Sequence, residues 1–87
     1  MIPDNIKCVH ILKAISIVDE KGVVNPRRKS RRYDVSYQGR RYPPKYLVSL
    51  AYTFVAGQEL HYEAFNTYEA QRFLRSLNFE IVDKWSL

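Results

Sequence analysis

Arginine, lysine and tyrosine side chains crowd one stretch of the sequence, RRKSRRYDVSYQGRRYPPKY, which runs from Arg27 to Tyr46. Between Arg27 and Lys45 the chain holds eight of its fourteen basic residues and one of its nine acidic residues, so this segment carries +7 and the remainder −2. Such a local excess of positive charge attracts polyanions, and arginine can also hold a phosphate through two parallel hydrogen bonds. We therefore predict nucleic-acid contacts, mostly to phosphate, by Arg27, Arg28, Lys29, Arg31, Arg32, Arg40, Arg41, Lys45 and Tyr46.

Two features of this stretch leave alternatives open. The tyrosines could stack on bases, or they could pack in the core with their hydroxyls at its rim. Strand alternation puts Tyr33 and Tyr42 on the face of Val35 and favours packing for both, whereas Tyr46 fits either role. Lys45 stands near the expected start of a helix, where the helix dipole favours acids rather than bases. An anionic partner would explain Lys45, and so would a surface lysine placed there by chance.

The sequence contains few of the residues and motifs that a catalytic or metal site would need. The chain has two histidines, and it lacks the glycine-rich phosphate loops, the G-x-S-x-G elbow and the H-E-x-x-H zinc motif. We predict no catalytic residue, no metal and no cofactor. The single cysteine, Cys8, cannot form an internal disulfide, and its place in an apolar helical pattern predicts a core residue. No apolar run approaches the roughly 20 residues of a membrane span, and the N-terminus does not resemble a signal peptide, so we expect a cytoplasmic protein that does not contact a membrane.

The elements that must position the basic residues follow from periodicity. The 87 residues suit one α+β domain over 1–87, with a basic loop at 23–32 and a hairpin at 33–43. Apolar residues at helical spacing predict a first helix, capped at Asp4 or Asn5 and stopped by Gly22. Its inward stripe comprises Cys8, Ile11, Leu12, Ile15 and Val18.

The period changes to two in YDVSY, which predicts a strand. A two-residue Gln38-Gly39 turn pairs Val35 with Tyr42 in the second strand of the hairpin. Pro43-Pro44 ends that strand and opens a helix that runs to Gly57.

The last part of the chain predicts a connector, a third helix and a closing strand. Leu60 and Phe65 anchor the connector, Asn66 and Glu69 have capping-box spacing, and the helix runs from about 67 to 77. Asn78 suits a left-handed turn before the strand FEIV, which pairs with the hairpin. The order is helix, strand, strand, helix, helix, strand, so we expect a small antiparallel sheet covered by helices. One core is expected to contain Val35, Leu47, Leu50, Phe54, Phe73, Leu74, Phe79 and Ile81.

From Tyr33 to Val82 the sequence resembles the small N-terminal head module of McrA-like HNH restriction endonucleases, which cut modified DNA. The pattern is a tyrosine-rich strand, a glycine turn, a basic residue, Tyr-Pro-Pro-Lys, a helix, a leucine and phenylalanine connector, and a closing Leu-Arg-x-Leu-x-Phe-x-Ile/Val. The residues that carry it are Tyr33, Val35, Tyr37, Gly39, Arg41, Tyr42, Pro43, Pro44, Lys45, Leu60, Phe65, Leu74, Arg75, Leu77, Phe79, Ile81 and Val82.

The sequence departs from that family in three places. Asn66-Thr67 stands where the family often has Gly-Gly, which puts in doubt any close approach of a ligand to the backbone there. Asn78 stands where the family often has glycine, but asparagine tolerates the left-handed conformation. No HNH nuclease segment is present in the chain.

The resemblance and the charge together imply a non-catalytic module that recognises or docks on double-stranded DNA in a restriction or defence system. The partners would be the DNA phosphate backbone and a nuclease subunit or fused nuclease domain. The second hypothesis is a protein-interaction adaptor whose basic face docks an acidic partner, and a third is RNA binding through the tyrosines.

Overall fold

The computed structural model describes residues 1–22 and 32–86, in which a three-stranded antiparallel sheet is covered by helices. The basic residues Arg27, Arg28, Lys29 and Arg31 lie outside the described residues, as does all of the expected 23–32 loop but its last member. The α+β class and the order of elements agree with the sequence-based prediction. Every helix in the described ranges is too short or too polar to cross a lipid bilayer.

The first helix, α1, spans Cys8–Lys21 and ends at Gly22, which has a positive φ of 75°. It begins later than predicted, since Lys7 rather than Asp4 or Asn5 precedes its first turn. Ile6 and Ile11 are both buried and stand at the positions of a hydrophobic staple, one before the cap and one at the fourth helical residue. Cys8, the first residue of α1, is exposed, so its prediction as a core residue was wrong.

The hairpin matches the predicted register residue for residue. Strand β1 (Tyr33–Tyr37) pairs with β2 (Arg40–Tyr42), placing Val35 opposite Tyr42 and Tyr37 opposite Arg40. Gln38 and Gly39 both have positive φ, 49° and 79°, as the two central residues of a type I′ turn require.

Strand β3 (Glu80–Asp83) completes the sheet on the other side of β1, so the strand order is β2-β1-β3. Ile81 lies opposite Val35, and Tyr33 lies opposite Asp83. Residues directly opposite each other share a face of the sheet. Val35, Tyr42 and Ile81 therefore form one apolar face, and the predicted pairing of the closing strand with the hairpin is confirmed.

The predicted second helix is divided into α2 (Pro44–Ala51) and α3 (Thr53–Ala56). In a continuous helix the Ser49 carbonyl would accept the Thr53 N–H, but here it accepts the Leu60 N–H at 3.1 Å. The Ser49 hydroxyl also donates to the Leu60 carbonyl, so this buried serine ties the connector to α2. Phe54 lies in α3 and is 39% exposed, so its prediction as a core residue was wrong.

A short 3₁₀ helix (Tyr62–Ala64) leads to α4 (Thr67–Ser76), and a second 3₁₀ helix (Lys84–Ser86) follows β3. Asn66 and Glu69 form the predicted capping box, with the Glu69 N–H donating to Asn66 Oδ1 at 2.8 Å. Asn78 has the expected positive φ of 71°.

The core lies between the sheet and the helices, with α2 contacting α1, α4 and β1. Its buried apolar side chains in the described residues are those of Ile6, Ile11, Ala14, Ile15, Val35, Tyr42, Leu47, Val48, Leu50, Ala51, Phe65, Ala70, Leu74 and Phe79.

Candidate nucleic-acid interface

The hairpin turn places Arg40 and Arg41 at the start of β2, which is an edge strand of the sheet. Successive residues of a strand point to opposite faces, so the two arginines leave the edge on opposite sides. Arg40 shares the face of its partner Tyr37, and Arg41 shares the face of Ser36. A polyanion that approaches this edge can therefore meet one guanidinium from each face.

Arg40 forms an exposed ion pair with α1. Its Nη1 lies 3.3 Å from Asp19 Oδ1, and its side chain remains 68% exposed. The same carboxylate oxygen accepts a hydrogen bond from the Tyr42 hydroxyl at 2.6 Å. The pKa of Tyr42 is raised to about 12, mainly because the phenol is buried and to a smaller extent because it donates a hydrogen bond to the Asp19 carboxylate. The phenol is thus a neutral donor that fixes Asp19 beside the hairpin.

Arg41 is the least engaged of the described basic residues in the stretch. It is exposed, and within residues 1–22 and 32–86 it has no hydrogen-bonding or ion-pair partner. Because its exposed guanidinium has no such partner among the described residues, it can bind a phosphate without first breaking a bond within that part of the chain.

Arg32 is held at the opposite end of β1. Its Nε and Nη2 donate to the Asp83 carboxylate at 3.1 and 2.9 Å, and this hydrogen bonding raises the pKa of Arg32. The guanidinium carbon also lies 5.0 Å from the ring centroid of Tyr33 and 4.7 Å from that of Trp85. Arg32 thus joins the start of β1 to the end of β3, a structural role that the sequence did not suggest.

Lys45 is held by the connector. Its Nζ donates to the Tyr62 carbonyl at 2.7 Å and lies 5.0 Å from the centroid of the Phe65 ring. These contacts account for a cation in the first turn of α2 without an external anion. Tyr46 is half-buried and packs against the core.

The structure therefore divides the described members of the predicted site. Arg40 and Arg41 lie together at the turn, whereas Arg32 lies about 16 Å away along the strand direction, at about 3.3 Å per residue. Sequence reasoning missed the two carboxylates, Asp19 and Asp83, that neutralise part of the basic cluster. No local pattern could have identified them, because each is distant in sequence from the arginine that it pairs with.

Both histidine side chains accept a hydrogen bond from a nearby backbone N–H. His10 Nδ1 accepts the Lys7 N–H at 2.8 Å, and His61 Nδ1 accepts the Glu63 N–H at 3.2 Å, so both rings act as caps at helix starts. Within the described ranges, no group of three or more histidine, cysteine, aspartate or glutamate residues is arranged to hold a metal ion.

Comparison with protein families gives a match that spans most of the chain. The model of the ScoMcrA-like, N-terminal head domain matches residues 4–83. Comparisons with curated proteins and with solved structures gave no match.

Proposed function

The chain belongs to the family of ScoMcrA-like N-terminal head domains, and we propose that it is a non-catalytic module that binds double-stranded DNA in a restriction system. In this proposal the module works beside a nuclease part, which performs the cleavage. The family membership supports the restriction setting. The DNA contact rests on the charge and geometry of the hairpin edge.

The observation that carries the proposal is the exposed pair Arg40 and Arg41 at the tip of an edge strand. A tight type I′ turn presents them, so little chain entropy is lost when they bind. Phosphate contacts of this kind release counterions from the duplex and position a protein without reading its sequence.

The remaining predicted contacts take two roles in the proposal. Arg27, Arg28, Lys29 and Arg31 contribute further phosphate contacts and long-range attraction, because they belong to the segment that carries +7. Arg32, Lys45 and Tyr46 have a supporting role, since their side chains contact Asp83, the connector and the core, respectively.

The test is the salt dependence of duplex binding, measured by fluorescence anisotropy. With about four to six phosphate contacts, the logarithm of the association constant should fall with the logarithm of salt concentration with a slope of about −4 to −5. Replacing Arg40 and Arg41 together by alanine should weaken binding to all duplex sequences alike and flatten the slope by up to about 2. The melting temperature should hardly change, because exposed charges contribute little to stability.

The matched control removes the same charge elsewhere. Arg72 and Arg75 are both exposed on α4, and replacing them together by alanine should leave the slope near that of the parent. Absence of duplex binding at low salt, or equal effects of the two double variants, would refute a hairpin DNA site. An acidic protein, such as the nuclease part itself, would then be the partner to test.

A further inference from the structure

Trp85 is a large aromatic side chain that the fold displays to solvent. It is 69% exposed, although tryptophan is on average a well-buried residue. Its backbone is nevertheless held, because the Trp85 N–H donates to Asp83 Oδ1 at 2.9 Å and the Lys84 N–H donates to the Arg32 carbonyl at 2.8 Å. The indole is therefore exposed at a fixed place, immediately after β3.

The Arg32 guanidinium supports the indole ring from one side. It lies 4.7 Å from the Trp85 centroid and 5.0 Å from the Tyr33 centroid, and two hydrogen bonds to Asp83 fix its plane. A ring held by a cation on one side, with most of its area exposed, retains a surface on which a planar group can stack. Because the guanidinium is already fixed, little ordering remains to oppose binding.

We propose that Trp85, supported by Arg32, is a stacking site for an unpaired nucleobase of DNA. This inference rests on the proposed DNA-binding function and adds to it a contact with a base. Every base has a flat aromatic face, so stacking on an exposed ring tolerates any sequence. In a paired duplex those faces are covered by neighbouring bases, and the site therefore selects single-stranded, bulged or extruded nucleotides.

Charge and spacing favour a nucleic acid over a protein at this site. Arg32 is the fifth basic residue in the six positions from Arg27, so a strongly basic run leads directly to the side chain that supports the indole. Arg32 and Arg40 lie about 16 Å apart along the strand direction, or about five steps of a DNA strand at 3.4 Å each. One DNA molecule can thus span both ends of the sheet.

The test uses the intrinsic fluorescence of Trp85, the single tryptophan of the chain. The parent protein is titrated at low salt with a paired duplex, the same duplex carrying one bulged nucleotide, and a single strand. We expect saturable quenching by the bulged and single-stranded DNA, with much weaker quenching by the paired duplex. Binding of the paired duplex, followed by anisotropy, reports separately on the proposed phosphate site.

Variants extend this test. Trp85→Ala should weaken binding of the bulged duplex by about 5- to 150-fold, and binding of the paired duplex much less. Trp85→Phe keeps an aromatic ring and should retain most of the preference for the bulged duplex. It therefore distinguishes loss of stacking from a general effect of side-chain truncation on the fold. Phe54→Ala is the matched control, because Phe54 is also an exposed ring with a cation, Lys13, 5.5 Å from its centroid. It should leave the preference unchanged.

Each outcome decides between the two proposals. Equal affinity for paired and bulged duplex, without quenching, overturns the stacking site and leaves the phosphate site standing. Absence of binding to all three DNAs overturns both. Equal quenching by a base-free polyanion such as heparin shows an electrostatic effect on the indole and overturns stacking.

Discussion

Asp19 is the residue on which the hairpin surface depends most closely, since one of its oxygens contacts both Arg40 and Tyr42. A carboxylate beside a phosphate-binding arginine competes with phosphate for the guanidinium and repels the DNA. The structure therefore places an internal competitor at the proposed interface.

Replacing Asp19 by asparagine should strengthen duplex binding. The amide oxygen can still accept the Tyr42 hydrogen bond, so the variant removes the charge and keeps the contact. One unit charge at about 4 Å in water is worth about 1 kcal/mol, which corresponds to about fivefold in affinity. The gain should shrink as salt is raised. Anisotropy titrations at two salt concentrations measure it.

Glu20→Gln provides the charge-matched control, because Glu20 is the exposed neighbour of Asp19 and makes no contact with Arg40. It should change affinity clearly less than Asp19→Asn. Equal gains from the two variants would indicate a general charge effect and contradict competition at Arg40.

The Tyr42 phenol makes a second prediction at the residue scale, concerning pH. Its pKa of about 12 in the folded protein exceeds the ordinary value of about 10, so the folded state favours the neutral phenol. The stability from this group is fully present below pH 10 and is lost as pH rises from about 10 through 12. At pH 7, Tyr42→Phe should lower the free energy of unfolding by about 1 kcal/mol, since Asp19 is partly exposed.

Urea unfolding of the parent and Tyr42→Phe at several pH values provides the measurement. The difference between the two proteins should be constant up to about pH 10 and then shrink. A difference that persists unchanged at pH 12 would show that the phenol is not stabilised in its neutral form.

At the scale of elements, the division of α2 from α3 determines which side chains of this helical segment contribute to stability. Leu47 lies in α2 and is fully buried, whereas Phe54 lies beyond the break and is 39% exposed. Leu47→Ala should lower the free energy of unfolding by about 2–5 kcal/mol, the usual range for a buried leucine. Phe54→Ala should cost less than about 1 kcal/mol.

Thermal and urea denaturation of the two variants side by side test this division. Comparable losses would mean that Phe54 packs as it would in a continuous helix.

At the scale of the whole molecule, the proposed role as a non-catalytic module predicts that the protein has no nuclease activity of its own. Both imidazoles accept a backbone N–H through Nδ1, and the described residues hold no metal-binding group. We therefore expect the purified protein to cleave neither duplex DNA nor RNA in the presence of Mg²⁺ or Mn²⁺. Gel assays over several hours measure this, with a metal-dependent nuclease as positive control.

A cleavage activity that survives repurification and disappears in His10→Ala or His61→Ala would overturn that expectation. Loss in only one of these variants would also identify the histidine responsible. The non-catalytic module proposed above would then have to be replaced by an enzyme.

Much of the fold was predictable from short-range sequence patterns such as turns, helix caps and strand alternation. A two-residue turn with glycine leaves one register for the hairpin, because a shift by one residue would turn Val35 and Tyr42 away from the core. Asn66 with Glu69, Pro44 at a helix start, and Asn78 at positive φ act within a few residues of chain. These features were predictable because the groups that satisfy each other are close in sequence.

Only the tertiary structure decided the rest, including which basic residues are available. Arg32 meets Asp83 and Arg40 meets Asp19 across 51 and 21 positions of sequence, respectively. Likewise, the Ser49 carbonyl bonds to Leu60 where the helical periodicity continues to Val55, and Ile6 is buried whereas Cys8 is exposed. In each case the outcome depended on tertiary packing, which brings together groups that are distant in sequence, and not on local spacing. Long-range pairing also decided that, among the described basic residues, Arg32 and Lys45 are held by other groups of the protein, whereas Arg41 has no hydrogen-bonding or ion-pair partner.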